Sequence, residues 1–277
     1  MYIDTHAHLT DGAFDDDRQE LIKGLAAGGI GKIIEISCDP KDFPVSAALA
    51  EQNPGIYLAF GIHPEFAETY TEGDMAALGE YLKHPKCVAL GETGLDYYWK
   101  PYNREKQLEL FRRQLDMAIE RDMPVSMHIR EAYGDCMEVL ESYGGRIKGV
   151  MHCFSGSAEI AERCAGLGLY IAFGGALTFR SNKKGPAACA VTPIDRLLTE
   201  TDCPYMAPEP HRGERNDPGY IPLICGKMAE IKGVSADEMA KRVEENGARL
   251  FGILCDFLKK INQWLTNAAH TCYYPNK

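Results

Sequence analysis

The sequence lacks three features that identify large classes of protein: a long hydrophobic run, paired cysteines and an excess of positive charge. No stretch reaches 18 consecutive apolar residues and no basic, hydrophobic leader opens the chain, so we expect neither a membrane-spanning helix nor a signal peptide. The ten cysteines are scattered without a C-x-x-C pair, which indicates reduced thiols in a cytoplasmic protein. The formal net charge of −10 disfavours loose binding to nucleic acid, although a small basic rim can still hold one strand.

The chain does contain short apolar runs that alternate with amphipathic helical patterns. Eight candidate strands follow one another at residues 2–5, 32–37, 56–60, 87–90, 124–127, 149–151, 169–172 and 197–200. Between them, residues 15–27 and 104–120 space their apolar side chains as a helix does. Alternating strands and helices form parallel βαβ units, so eight units predict an α/β fold, a distorted (β/α)8 TIM-type barrel. An open doubly wound sheet is the alternative.

We expect a single domain over residues 1–253, followed by an amphipathic helical extension over residues 254–277 that packs on the barrel. Residues 178–193 and 207–220 are predicted to be two long loops. Long loops in a compact domain are usually functional or disordered. The first carries Lys183 and Lys184, and the second carries three prolines and Arg212.

Residues with the chemistry of metal ligands recur at the ends of the predicted strands. His6 and His8 follow the first strand, and the alternation of side chains along a strand puts both on one face. The other candidates follow the fourth, fifth, sixth and eighth strands: Glu92, His128, His152 and Asp202. The carboxyl ends of barrel strands meet at one face, where active sites of this fold assemble. A single histidine there is more often structural, but six such residues together predict a metal site.

The ligand types indicate how such a site would work. Imidazole and carboxylate suit Zn²⁺, Mg²⁺, Mn²⁺ or Fe²⁺ without choosing among them. Glu92 has two oxygens and can bridge two ions, which in such sites act together on the attacking and leaving oxygens and lower the pKa of bound water. Asp202 can bind one ion and accept the proton of that water as general base. Cys153 and Cys203 adjoin these residues, but alternation turns them to the opposite face, so we interpret them as packing residues.

Seven ordered motifs resemble a known family, the TatD-like metal-dependent deoxyribonucleases of the amidohydrolase superfamily. They are IDTHAHL at 3–9, FGIHP at 60–64, GETGLDYY at 91–98, MHCFSG at 151–156, ETDCPY at 200–205, PHRG at 210–213, and Asn246. The resemblance spans roughly residues 1–253. Two departures are Cys203, where the family usually has serine or alanine, and the residues that continue past the family's usual end.

The resemblance implies a distorted TIM-type barrel that hydrolyses DNA phosphodiester bonds. We expect this enzyme to act on single-stranded ends. It implies two divalent ions, Zn²⁺, Mg²⁺ or Mn²⁺. The first would be held by His6, His8, Glu92 and Asp202, and the second by Glu92, His128 and His152. Two such ions would reduce the net charge to −6.

Further residues are candidates for binding the substrate or supporting the site. His63 ends the third strand and is predicted to contact a phosphate, and Arg212 can clamp one because guanidinium binds phosphate bidentately. Asp96 is predicted to orient a ligand. We interpret Asn246 as structural, bonded to backbone near the site. Two more groups of candidates are less specific. Lys183 and Lys184 could guide a strand, and an unpaired base could stack on Tyr97, Tyr98 and Trp99, although aromatic residues after a strand are more often core.

Two rival functions fit the same ligands. A metal-dependent hydrolase can attack an ester or amide carbon instead, as in a D-aminoacyl-tRNA, because the ligand set does not distinguish carbon from phosphorus. A non-catalytic metal scaffold would fill every coordination position. We expect a monomer whose partner is the DNA substrate.

Overall fold

The computed structural model describes residues 1–253, and the predicted extension over residues 254–277 lies outside them. The inner layer consists of eight strands: β1 (Tyr2–Ala7), β2 (Ile30–Ser37), β3 (Ile56–Phe60), β4 (Cys87–Asp96), β5 (Val125–Arg130), β6 (Gly149–Met151), β7 (Tyr170–Phe173) and β8 (Leu197–Thr199). Their order in the sheet is β1 to β8, and each pairs in parallel with the next. The predicted (β/α)8 TIM-type barrel is confirmed, and the open-sheet alternative is wrong.

The outer layer of the described chain consists of α1 (Arg18–Leu25), α2 (Phe43–Gln52), α3 (Glu72–Tyr81), α4 (Arg104–Glu120), α5 (Tyr133–Ser142), α6 (Ala158–Gly166), α7 (Lys184–Val191), α8 (Ile221–Lys232) and α9 (Ala236–Phe251). The longest, α4, shows why these segments are helical. Asn103 caps it by accepting a hydrogen bond from the backbone of Lys106, and Leu110, Phe111 and Leu115 recur on the face buried against the barrel. None of the helices within residues 1–253 is long and apolar enough to cross a membrane.

Side chains as well as backbone groups close the barrel between its first and last strands. The Thr5 hydroxyl donates to the carbonyl of Thr199, and the Thr199 hydroxyl donates to the carbonyl of Ile3, each over 3.0 Å. Beyond β8, the backbone N–H of Asp202 donates to the carbonyl of His6 over 2.9 Å. This seam satisfies buried polar groups on both sides and places two of the predicted ligands beside each other.

Several predicted boundaries were wrong in an informative way. His6, Glu92 and His128 do not follow their strands but lie within them, because β1, β4 and β5 continue further than their apolar runs. The extended parts of β4 and β5 pair with each other, from Thr93 with Met127 onward. Hydrogen bonds between strands therefore extend each element past the point where its own hydrophobic pattern stops.

Two other predictions need correction. The stretch 178–193 is not one long loop, because α7 occupies half of it. Asn246 is structural, but it lies at the amino end of β8, where its side-chain amide donates to the carbonyls of Ile194 and Leu197 over 2.9 Å each. It therefore secures α9 to the barrel at the end opposite to the predicted site.

Candidate metal centre

The six predicted metal ligands meet at the carboxyl end of the barrel. They come from β1 and the residue after it, from β4 and β5, and from the turns after β6 and β8: His6, His8, Glu92, His128, His152 and Asp202. Subsets of these side chains bring their ligand atoms within 4.8 Å of one another. Residues as much as 196 positions apart in the chain therefore form one cluster, and it lies on the barrel face that the strand-end argument predicts.

Glu92 lies at the centre of the cluster, and its two carboxylate oxygens face different histidines. Oε1 lies 2.7 Å from Nδ1 of His128 and 2.9 Å from Nε2 of His152. Oε2 lies 3.5 Å from Nε2 of His6 and 3.8 Å from Nε2 of His8. Each oxygen therefore has its own pair of imidazoles, which is the arrangement required of a carboxylate that bridges two ions.

Asp202 completes the group around the first pair. Its Oδ1 lies 3.4 Å from Nε2 of His8 and 3.8 Å from Nε2 of His6. Its backbone has a φ of 55°, a left-handed conformation that aspartate and asparagine adopt more readily than most residues. The turn after β8 thus directs this carboxylate inward, next to the two histidines of the H-x-H pair.

The path of β4 brings Glu92 to this position. The pairing of β4 with β5 shifts register between Leu90 and Thr93, so the strand is irregular where Glu92 lies. Two residues later, Gly94 passes so close to β5 that a Cβ there would collide with the carbonyl of His128. A glycine is required at this position, because the close approach sets Glu92 beside His128.

The second ring nitrogen of two histidines is held by an acceptor outside the cluster. Nδ1 of His8 lies 3.2 Å from the carbonyl oxygen of Ile36, and Nε2 of His128 lies 3.0 Å from Oδ2 of Asp96. A carbonyl or carboxylate only accepts, so these nitrogens carry the hydrogen in the neutral rings. The lone pair of the other nitrogen then points at the central carboxylates. Asp96 thus contacts His128 as expected of a residue that orients a ligand.

The other two histidines also have a polar group beside their outer ring nitrogen. Nδ1 of His6 lies 3.2 Å from the hydroxyl of Ser126 on β5. His152 has its Nδ1 3.5 Å from Oε1 of Glu200, a fully buried carboxylate at the end of β8. The two rings stack on each other, with centroids 3.7 Å apart. Three imidazoles are therefore held by a partner on the outer side, while the Nδ1 of His152 approaches Glu200 but has no hydrogen-bond partner within residues 1–253. Each ring leaves one nitrogen for the centre.

This arrangement calls for positive charge between the imidazoles and the carboxylates. The lone pair of an imidazole nitrogen and a carboxylate oxygen repel each other unless a proton or a metal ion lies between them. Burial opposes charge on His8 and His128, yet the neighbouring carboxylates, Asp202 for His8 and Asp96 with Glu92 for His128, raise the pKa of each to about 9. Four imidazoles and two carboxylates without a thiolate form a donor set that fits Zn²⁺, Mn²⁺ or Mg²⁺.

His63 joins the cluster but differs from the other four histidines. Its Nε2 lies 3.9 Å from Oε1 of Glu92, while its Nδ1 accepts a hydrogen bond from the backbone N–H of Glu65. Burial lowers its pKa to about 3, so the ring is neutral. With Nδ1 accepting, Nε2 carries the hydrogen and presents a donor to the centre instead of a lone pair. This chemistry matches the predicted role of His63 at a phosphate better than a role as metal ligand.

The two arginines of the loop after β8 have different surroundings. Arg212 stacks 4.4 Å above the ring of Phe179, which follows β7, and no carboxylate pairs with it within residues 1–253. Arg215 forms a 2.6 Å ion pair with Asp17 and packs over Phe14. Arg215 therefore has a structural role, whereas the charge of Arg212 remains available to an anion.

Sequence reasoning missed the residues that support the ligands from outside, Glu200 and Ser126 above all. Glu200 contacts His152 and accepts a hydrogen bond from the backbone N–H of Cys153. A signal for it existed, because strand alternation puts Glu200 on the same face as Asp202. Ser126 gave none, since a serine within an apolar run is common.

Comparison with known proteins places the chain in a family. A family model described as "TatD related DNase" matches residues 3–252. The chain belongs to the TatD-related family. Among its relatives, the "Uncharacterized metal-dependent hydrolase YabD" of Bacillus subtilis is 39% identical over 254 residues, covering 91% of this chain and 100% of that protein. The resemblance drawn from the seven motifs is confirmed.

Two other members of the TatD-related family are informative. The "3'-5' ssDNA/RNA exonuclease TatD" of Pantoea vagans is 32% identical, and the match covers 90% of this chain and 98% of that protein. The crystal structure of YjjV, a TatD homologue from Escherichia coli, superimposes with a TM-score of 0.87 at 33% identity, covering 91% of this chain and 98% of that one. The protein is thus a member of a family of metal-dependent hydrolases, with the barrel of that family.

Proposed function

We propose that this protein hydrolyses phosphodiester bonds of DNA, starting from single-stranded ends. One observation carries the proposal: the oxygens of Glu92 face two separate pairs of imidazoles, so each pair could hold one ion together with Glu92. Paired ions are suited to a displacement at phosphorus, where an attacking and a leaving oxygen must both be stabilised. The relative from Pantoea vagans, named as an exonuclease of ssDNA and RNA, supports this substrate class.

The residues that would hold the ions are His6, His8, Glu92 and Asp202 for the first and Glu92, His128 and His152 for the second. When bound, divalent ions neutralise the phosphate charge and lower the pKa of water toward neutrality. Nitrogen and oxygen ligands accept Zn²⁺, Mg²⁺ and Mn²⁺ alike.

Within the chain itself, Asp202 is the residue suited to accept the proton of the attacking water. Asp202 lies at the edge of the cluster, because 9% of this residue is exposed, compared with 4% of Glu92. The carboxylate is ionised, because His8, His152 and His6 lower its pKa against the effect of burial. An ionised carboxylate at the open side of the centre can act as general base.

Two further residues would bind the phosphate. Neutral His63 presents its Nε2–H toward Glu92 and can donate to a phosphate oxygen. Arg212 carries a guanidinium that no carboxylate within residues 1–253 neutralises, and guanidinium forms paired hydrogen bonds with phosphate. Both lie on loops at the carboxyl end of the barrel, so they approach a substrate from the same side as the ions.

The test compares Asp202→Asn with wild type on end-labelled DNA, single-stranded and double-stranded, with Mg²⁺, Mn²⁺ or Zn²⁺. Asparagine keeps the left-handed backbone at this position but does not accept a proton. We expect wild type to shorten single strands, and the variant to lose activity by about 10³-fold. Asp122→Asn is a matched control, because Asp122 also has a positive φ but is exposed at the other end of the barrel.

Two outcomes would contradict the proposal. Near-normal DNA cleavage by Asp202→Asn, with the control unchanged, would remove Asp202 from the mechanism. Turnover of a D-aminoacyl ester by the wild-type enzyme, without cleavage of any DNA, would replace the phosphodiesterase by a hydrolase of carbonyl substrates.

A further inference from the structure

The exposed aromatic side chains of the described chain all lie at one end of the barrel. They are Tyr98, Trp99 and Tyr102 after β4 and Tyr205 after β8. Trp99 is 65% exposed and Tyr98 is 45% exposed. Exposing apolar rings of this size to water has a cost in free energy, so a group of them at the rim of a site indicates a binding surface.

The loop after β4 is firmly attached, so these rings are held in position. Tyr97 stacks on Tyr102 with centroids 4.6 Å apart, and its hydroxyl donates to Asp135 over 2.6 Å. Arg104 also binds Asp135, through two hydrogen bonds of 2.6 and 2.7 Å. Tyr97 therefore belongs to the anchor, while the next two residues, Tyr98 and Trp99, remain turned to solvent.

Tyr98, Trp99 and Arg130 form one surface, which we call the aromatic platform. The Arg130 guanidinium lies 3.8 Å above the Tyr98 ring and 5.5 Å from the Trp99 ring. The two rings meet edge to face, with centroids 4.8 Å apart. No carboxylate within residues 1–253 forms an ion pair with Arg130, so the platform combines exposed π faces with an uncompensated positive charge.

The platform is connected directly to the metal centre through Asp96. One oxygen of Asp96 contacts Nε2 of His128 over 3.0 Å, and the other accepts the backbone N–H of Tyr98 over 2.9 Å. Arg130 follows His128 by two residues on β5, which is about 7 Å along a strand. A group bound on the platform is therefore adjacent to a phosphate held at the centre.

We propose that Tyr98, Trp99 and Arg130 form a subsite for an unpaired nucleobase of the nucleic acid strand whose phosphodiester is at the metal centre. This inference rests on the proposed function and names the feature of the substrate that the enzyme recognises. Every base has a π face that stacks on aromatic rings, and a guanidinium adds to this contact and attracts the backbone. Bases inside a duplex have both faces covered by neighbours, so the platform selects single strands and ends.

The first experiment compares two oligodeoxynucleotides that differ only in whether the nucleotide next to the scissile bond carries a base or is abasic. We expect wild type to have a kcat/KM about 10-fold higher for the strand with the base, the size of one stacking contact. Trp99→Leu keeps apolar bulk but removes the ring, so this ratio falls toward one. Trp99→Phe keeps a ring and most of the ratio. Val191→Ala is the control, because Val191 is an exposed apolar residue at the carboxyl end of α7. This variant leaves the ratio at its wild-type value.

The second experiment measures binding without cleavage. The sequence has two tryptophans, Trp99 and Trp264, so the double variant Asp202→Asn/Trp264→Phe leaves Trp99 as the fluorescent indole. We expect an oligodeoxynucleotide with bases to quench this emission and a fully abasic strand of equal length to leave it unchanged.

The outcomes separate this inference from the proposed function. DNA cleavage with equal ratios in wild type and Trp99→Leu, and no quenching by bases, overturns the subsite and leaves the nuclease proposal standing. Base-dependent quenching without cleavage of DNA by the wild-type enzyme supports the subsite and overturns the nuclease.

Discussion

Two buried glutamates, Glu35 on β2 and Glu92 on β4, have opposite surroundings. Glu35 is fully buried and accepts hydrogen bonds from neutral donors: the backbone N–H groups of Leu9 and Thr10, and the hydroxyls of Thr10 and Ser46. Glu92 is 4% exposed, and the side-chain groups around its oxygens are imidazoles. One carboxylate is thus satisfied by uncharged groups, while the other is placed among residues that attract cations.

The pKa values of the two groups differ in direction for the same reason. Burial raises the pKa of Glu35, and the hydrogen bond from Thr10, the charge of nearby His8 and the hydrogen bond from Leu9 offset this only in part. Burial acts on Glu92 as well, but the imidazoles of His152 and His128 hold its pKa well below the ordinary range. Burial of a carboxylate is therefore a poor sign of function by itself. The charge state of its partners distinguishes a residue that holds a loop from a candidate metal ligand.

Of the substitutions that test this comparison, Glu92→Gln should have the largest effect on activity. Glutamine has one oxygen and no charge, so it cannot bridge two ions. We expect turnover to fall by on the order of 10³-fold. An ion present at a free concentration of 100 times its Kd stabilises the folded wild type by about 2.7 kcal/mol and therefore raises its Tm. This metal-dependent rise in Tm should vanish in the variant. Thermal unfolding with and without chelator measures it. A normal rise, together with two ions per chain by elemental analysis, would show that Glu92 is not a ligand.

Glu35→Gln should have the opposite profile. The amide would direct an N–H at the Leu9 backbone or at the Thr10 and Ser46 donors, leaving at least one buried donor without an acceptor. The free energy of unfolding, measured in chelator by denaturant titration, should fall by about 2 kcal/mol. The metal-dependent rise in Tm should persist, because Glu35 is not among the candidate ligands and its oxygens are occupied by Leu9, Thr10 and Ser46. A variant of normal stability that has lost this rise would reverse the assignment of the two glutamates.

The same contrast explains how much the sequence can predict. The barrel and the cluster of six candidate ligands can be predicted because strand alternation and strand-end position are local rules, and His6-Ala7-His8 satisfies both. The extension of β4 as far as Asp96 was not predicted, because it depends on pairing with β5. The donors around Glu35 and the partner of His152 come from α2 and from the segments that follow β1 and β8. Sequence patterns therefore identify the candidate ligands more readily than they identify the residues that hold those ligands in place.

The smallest predicted effect concerns Glu200, which belongs to neither class. It contacts His152 through Oε1, while its Oε2 is buried without a hydrogen-bond partner within residues 1–253. We expect it to act as a positioning residue that fixes the ring of His152, as Asp96 does for His128. Glu200→Gln keeps the acceptor for the Cys153 N–H but removes the charge, so metal affinity should fall by about 10-fold.

Competition of Zn²⁺ or Mn²⁺ between the protein and a chelator measures this affinity, and Asp96→Asn is the matched variant on the other side of Glu92. Both variants should lose affinity by a similar factor while keeping the unfolding free energy of the metal-free wild type within about 1 kcal/mol. If Glu200→Gln loses stability but binds metal normally, Glu200 resembles Glu35, and the orientation of His152 must come from its stacking on His6. If metal affinity falls only in the Glu200 variant, metal binding depends on the carboxylate beside His152 but not on the one beside His128.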